Sequence, residues 1–483
     1  MLAPPLSLPL LAGLTPRDVD VRLIDENVEA ADTKTPADWV AITCMTASAP
    51  RAYEIADGFR GRGIPVVMGG IHPTVMPDEA SAHADAVVVG EAEPIWQQII
   101  RDLAGNRLKP RYENFGLADL SAMPLPRRDL LRGERYVTTN VVQTARGCPN
   151  GCSFCSVSSV FGTRYRFRPI PEIIEEVRLL RGWVGFVDDN IVGSPRRAKE
   201  LFEALIPLKI RWVGQGDLSM ARDPELMSLA VRSGCQAMFV GLESVSQENL
   251  RAVSKRPNVG TDMSDAIRKI HKAGIEIIGS FVLGLDGDDT EVFKRTAEFA
   301  KGHKLAAAQF SVLTPFPGTV VHRELEREGR ITNHDWSQYT MSNVVFTPRN
   351  MTAQQLQEGQ KATYRSFYSI QSIFRRALTV RGKLLLRLLV NMSYRFIGRG
   401  KGLCSGIPRH RNFAARRASV ADEPAEASAA CRVAPPASTA SPPAAPAPPG
   451  PTAISAAASA SATSPARAPP ARGSSPLTSP PGP

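Results

Sequence analysis

A chain of 483 residues, 43% hydrophobic and 22% charged, has room for two or three folded domains and a sizeable core. Its net charge of +11 gathers largely between Arg375 and Arg417, so it is a local feature, and no basic patch interleaved with aromatics points to nucleic acid. No run of eighteen apolar residues occurs, and Met1–Leu14 lacks the basic start and cleavage site of a signal peptide, so a cytoplasmic protein without spanning segments is expected.

In chain order, the first region (1–125) alternates apolar runs with helical patterns. Val21–Ile24, Val40–Thr43, Val66–Met68 and Ala86–Val89 read as strands, and Ala52–Gly61 as one of the helices between them. Buried runs spaced in this way predict a parallel, Rossmann-like sheet. Two runs end in Gly69-Gly70 and Gly90-Glu91, where loops at carboxyl strand ends would form a ligand crevice.

The second region (136–330) repeats a strand–helix unit, with strands expected at Thr138–Thr144, Trp183–Asp188, Ile210–Gly214, Ala237–Leu242, Ile277–Leu283 and Ala308–Leu313. Ile173, Ile174, Val177 and Leu180 make the apolar face of one intervening helix. Six such units predict a partial α/β barrel of the TIM type, with chemistry at the carboxyl strand ends. A helical, basic segment follows (331–402). Its stretch 378–396 reads either as a helix packed on the barrel with a solvated basic face or as a peripheral membrane contact. The tail (403–483) is Ala, Pro and Ser with few apolar side chains, and disorder is expected there.

Seven cysteines are present, and Cys148, Cys152 and Cys155 fall within eight residues. Neighbours that close make poor disulfides and good metal ligands, and a reducing cytoplasm fits them. Three thiolates in one loop would leave one iron of a four-iron cube open to an outside ligand, and Gly147 and Gly151 would let the backbone wrap the cube. A zinc site with Cys235 as fourth ligand stays open on spacing alone.

Cys-x-x-x-Cys-x-x-Cys after the first barrel strand, with Phe154 before the last cysteine, resembles the radical S-adenosylmethionine (SAM) superfamily over about Tyr136–Glu328. The resemblance implies a [4Fe–4S] cluster on Cys148, Cys152 and Cys155. SAM would chelate its open iron and be cleaved to a 5′-deoxyadenosyl radical by an electron from a partner such as flavodoxin or ferredoxin. It further implies that Asp188 or Asp189 holds the SAM amine, that Glu243 and Ser244 meet the ribose, and that Gly279–Gly284 supports the adenine. Asp188 and Asp189 read equally well as a turn with a helix cap, and Glu243 as a surface ion pair.

Gly69-Gly70-Ile71-His72-Pro73-Thr74, followed by Ala86-Val87-Val88-Val89-Gly90-Glu91, resembles the cobalamin-binding domain that precedes many radical SAM cores. Gly69, Gly70, His72, Gly90 and Glu91 would then line the corrin or its tail, with His72 shaping the loop without ligating cobalt. Pro4–Leu8 resembles the loop after that domain's first strand, so the strand itself is missing from the pattern. The resemblance implies methylation of an unactivated carbon in a small-molecule or lipid-like substrate, two SAM being used per product. Ring closure or oxidation without methyl transfer, or a non-catalytic cobalamin-binding regulator, are the competing readings.

Overall fold

Val, Ile and Met side chains fill the runs at 40–43, 66–69 and 86–88, and branched residues covered on both faces favour a pleated strand. The computed structural model describes residues 3–377 apart from 114 and 122, and also 387–388 and 391–392. In it these runs become β1 (Val40–Thr43), β2 (Val66–Gly69) and β3 (Ala86–Val88), extended by β4 (Arg111–Tyr112) into a four-stranded parallel sheet in that order. The helix Ala49–Arg60 packs Ala52, Tyr53, Ile55 and Phe59 on one face, and Trp96, Ile99 and Ile100 cover the other. Val21–Ile24, expected as a strand, is not one. Among the described residues no strand lies beside it to take up its backbone groups.

The second sheet begins with β5 (Val141–Val142). A two-residue hairpin of β6 (Ala145–Arg146) and β7 (Arg166–Phe167) interrupts it. Then follow β8 (Trp183–Phe186), β9 (Arg211–Gly216), β10 (Cys235–Glu243), β11 (Glu276–Leu283) and β12 (Ala307–Val312). The six parallel strands run β12-β11-β10-β9-β8-β5, and all six expected strands are present. Trp212, Phe202, Phe281 and Phe310 lie wholly buried between this sheet and its helices.

The amino ends of β11 and β12 are closed by the helix Ile370–Ala377 together with Arg387 and Asn391. Arg376, 3% exposed, donates to the carbonyls of Leu305 (2.8 Å) and Phe367 (3.1 Å) and to Asn391 Oδ1 (2.8 Å). Arg387 pairs with Glu276 at the start of β11 and is 5% exposed. Arg387 therefore does not belong to a solvated basic face. The rest of 378–396, apart from residues 388, 391 and 392, and the tail 403–483 lie outside the described residues. Among the described residues no helix is long and apolar enough to cross a membrane.

Candidate active site

The three clustered cysteines lie in the loop between β6 and β7, at the carboxyl end of the second sheet. Gly147 takes φ +85°, and a Cβ there would stand 2.5 Å from the Arg164 carbonyl oxygen, so the chain can fold back only without a side chain. Gly151 is also left-handed, at φ +63°. The loop is tied down along its length. The Ser153 amide donates to the Val253 carbonyl (3.2 Å), the Val321 amide donates to the Ser153 carbonyl (3.2 Å), and Cys155 opens the helix Ser156–Val160. Asn150 reaches Asp217 Oδ2 at 3.4 Å, and Asn190 donates to the same oxygen at 2.7 Å. Burial pushes the Cys152 thiol up to about 12, against the pull of the Lys255 charge, so binding a metal group here releases protons.

Cys235 cannot serve as a fourth ligand. It starts β10, whereas the loop lies by Glu243 at the other end of that strand, about 26 Å away at 3.3 Å per residue. Three thiols and a glycine-lined loop suit a cluster with one open iron and do not complete a tetrahedral zinc site.

The carboxylates expected around SAM separate into different environments. Asp188 is wholly buried and accepts from the amides of Thr144 (2.6 Å) and Ala145 (2.5 Å) and from Thr144 Oγ1 (3.0 Å), which fastens the chain entering the cysteine loop. Burial raises its pKa to about 7 against those bonds. Asp189 is only half-buried and is held by the Gly147 amide, beside the loop. Glu243 ends β10 at a bulge with φ +63°, a strained position for a residue with a side chain. Its Oε1 accepts from Lys255 Nζ at 2.7 Å; the two side chains are 9% and 10% exposed. Burial opposes the Lys255 charge, but the adjacent Glu243 carboxylate holds its pKa above the ordinary lysine value. Asn258 donates to the Gly241 and Leu242 carbonyls, both at 3.0 Å, fixing the bulge. Ser244 is buried beside it, Phe154 packs on the barrel core, and Gly284 abuts Leu356.

The front domain divides its expected residues more sharply. Gly70, at φ +99°, lets the chain press against Thr43 and Cys44, where a Cβ would meet Thr43 Oγ1 at 2.5 Å. Gly69 ends β2 nearby. Gly90 differs: an added Cβ would meet nothing within 4 Å, so open space lies at the carboxyl edge of β3. Met45, past the carboxyl end of β1, is 61% exposed. An open apolar edge of this kind suits a flat corrin. His72 faces elsewhere. It is fully buried between Thr46 Oγ1 (3.4 Å) and Glu79 Oε1 (3.3 Å), edge-on to Trp336 at 5.4 Å. Glu91 is also engaged: it is 4% exposed, pairs with Arg166, and lies 3.3 Å from Arg146 Nη1.

Comparisons with known proteins agree with this geometry. Residues 142–300 match the model of the radical SAM superfamily, and residues 2–100 that of the B12 binding domain. The chain is 32% identical to the bacteriochlorophyllide d C-12(1)-methyltransferase of Chlorobaculum tepidum, over 77% of this chain and 84% of that protein. It is 30% identical to the bacteriochlorophyllide d C-8(2)-methyltransferase of the same organism, over 81% and 91%. The cobalamin-dependent SAM radical enzyme OxsB, solved with aqua-cobalamin and SAM, shares the fold at TM-score 0.61 and 15% identity, over 82% of this chain and 69% of that one. The chain belongs to the cobalamin-binding radical SAM family. Within it the chain is an enzyme of the methyltransferase kind, with a [4Fe–4S] cluster, SAM and cobalamin as cofactors and a small molecule as substrate.

Lys255, Asp217, Arg146 and Arg166 escaped the reading of the sequence. Each finds its partner 12 to 75 residues away, with no motif to announce the pair. A lysine shortly after the Glu243 motif was the one visible signal.

Proposed function

We propose that Cys148, Cys152 and Cys155 carry the cluster and that the enzyme methylates an unactivated carbon of an apolar ring or lipid-like small molecule. The observation that carries this reading is the meeting of the three-thiol loop with the Glu243–Lys255 pair at one end of the parallel sheet. When bound, the cluster supplies the electron that cleaves SAM, and cobalamin carries the methyl group to be transferred.

The chain's own residues bind and orient. Glu243 presents its second oxygen to the ribose hydroxyls of SAM, while Lys255 neutralises the pair and offers a cation to the SAM carboxylate. Asp189, half-buried beside Gly147, meets the SAM amine, and Asp188 holds the loop from behind. Gly90 leaves the carboxyl edge of β3 open to the corrin, and His72, buried against Thr46 and Glu79, shapes its loop without being presented to cobalt. Flavodoxin or ferredoxin is the electron donor in this reading. A substrate such as a chlorin macrocycle, as in the two relatives above, offers alkyl carbons without acidic protons, for which radical methylation is suited.

The test is anaerobic reconstitution followed by counts of iron, sulfide and corrin, with Cys148→Ala alongside. Wild type is expected to hold about four irons and one corrin per chain, and the variant to lose its iron. With a chlorin substrate, S-adenosylhomocysteine and 5′-deoxyadenosine are expected to accumulate together. 5′-Deoxyadenosine alone would instead favour oxidation or ring closure without methyl transfer. No cluster under any condition would overturn the assignment.

A further inference from the structure

The hairpin that bears the cysteine loop is too small to hold itself together. It contains two paired positions, Ala145 with Phe167 and Arg146 with Arg166, and so short a ladder is marginal in water. Its second pair sets two guanidiniums directly across from each other, an arrangement that repels. Both arginines are nearly buried, with side chains 8% and 11% exposed, so water does little to relieve them.

The relief comes from the front domain. Glu91, three residues past the last in-sheet pairing of β3 with β4 at Val88, stands between the two arginines: Arg166 Nη1 donates to its Oε2 at 2.8 Å, Arg166 Nη2 pairs with its Oε1, and Arg146 Nη1 lies 3.3 Å from Oε2. Glu93 pairs with Arg146 Nη2 and is 11% exposed, while Arg146 Nε donates to Gln143 Oε1 at 2.8 Å. The Ala118 amide donates to Glu91 Oε2 at 2.9 Å, and the Ala118 carbonyl accepts from Arg166 at 2.9 Å. Two cations and two anions therefore form a neutral quartet, linked in the order Arg166, Glu91, Arg146 and Glu93, with one half on each domain. Arg146 adjoins Gly147-Cys148, so the quartet sits at the root of the cysteine loop.

We propose that Arg146 and Arg166 are positioning residues, and that the hairpin and its cysteine loop reach their working geometry only when Glu91 and Glu93 of the cobalamin domain supply the counter-charges. The corrin-bearing domain thereby sets the place of the cluster relative to itself, and domain docking and cluster-loop order become one event. This inference rests on the assignment of the cluster to Cys148, Cys152 and Cys155.

The experiment is hydrogen–deuterium exchange on the cofactor-free full chain, comparing wild type with Glu91→Gln, Glu93→Gln and Arg146→Lys. Amides of 145–155 and 164–168 are expected to exchange on the order of tenfold faster in Glu91→Gln, with those of β2 and β10 unchanged. Arg146→Lys, which keeps the charge and loses the fork, is expected to fall between. In the loaded protein, the dipolar broadening between cob(II)alamin and the reduced cluster reports their separation and is expected to change in Glu91→Gln at equal iron and corrin content. Unchanged exchange in the loop, or an equal rise throughout the chain, would overturn the proposal. A wild type that binds no iron while its variants show the localised rise would remove the cluster assignment and uphold the clamp.

Discussion

Single residues in this protein decide whether the cysteine loop can form at all. Gly147 is the sharpest case: φ +85° with the Arg164 carbonyl 2.5 Å from any Cβ leaves no room for alanine. Gly147→Ala is expected to cost about 1–3 kcal/mol in loop geometry. Reconstituted iron should fall well below that of wild type while the far-ultraviolet circular dichroism of the chain is little changed. Asp188 makes a prediction of opposite character. Its folded pKa of about 7 lies above the ordinary 3.8, so the buried carboxyl favours the fold when protonated. Its contribution is complete below pH 3.8 and is lost as the pH rises through about 7. Thermal melting of the cofactor-free protein should therefore fall across that window in wild type, and Asp188→Asn should flatten the slope. An unchanged slope would show that the three bonds from Thr144 and Ala145 keep the carboxylate ionised throughout.

At the scale of elements, legibility followed periodicity. β5, β8, β9, β10, β11 and β12 were readable because each is an apolar run closed by a polar or glycine turn, a signal carried by neighbours in sequence. β4, β6 and β7 have two residues each, too few for any period, and were missed. Val21–Ile24 shows the converse: the pattern is present but no partner lies beside it, and a strand is defined by its neighbour. The basic stretch near the C-terminus misled for a third reason. Arg387 reads as a surface cation until Glu276, 111 residues earlier, is brought against it. That pairing predicts its own cost, since Arg387→Ala strands the Glu276 carboxylate beneath the barrel and is expected to destabilise by about 3–5 kcal/mol. Denaturant unfolding checks it, and a loss within about 0.5 kcal/mol would place Arg387 at the surface after all. The cysteine motif was legible because its chemistry needs close spacing; the residues that position it were not, because theirs needs only proximity in space.

On the scale of the whole molecule, two polar clusters among the described residues fasten the front domain to the rest of the chain, beside a buried bond from the Tyr136 hydroxyl to Asp25 Oδ2 (2.8 Å). One is the quartet of Glu91, Glu93, Arg146 and Arg166. The other lies at Trp336, whose indole N–H donates to both oxygens of Glu79 at 3.0 and 2.9 Å, with Tyr53 donating to Oε1 at 2.9 Å and His72 packed against the ring. The bonds from Trp336 to Glu79 span 257 residues of sequence, so the segment after the barrel returns to grip the domain before it. The quartet is nearly buried, and at the second fastening His72 is buried while Glu79 is 32% exposed; leaving one partner behind costs about 1–3 kcal/mol for a buried neutral donor and more for a buried charge. Neither α/β body can then open without stranding groups on the other, and the two are expected to unfold together. Scanning calorimetry of the cofactor-free chain should give one transition in wild type. Glu79→Gln and Glu91→Gln act at different fastenings, so each alone should lower that transition while keeping it single, and the double variant should split it into two. A single transition in the double variant would mean that the remaining contacts, the Tyr136–Asp25 bond among them, couple the bodies. Two transitions already in wild type would mean that the fastenings position the domains without coupling their stability.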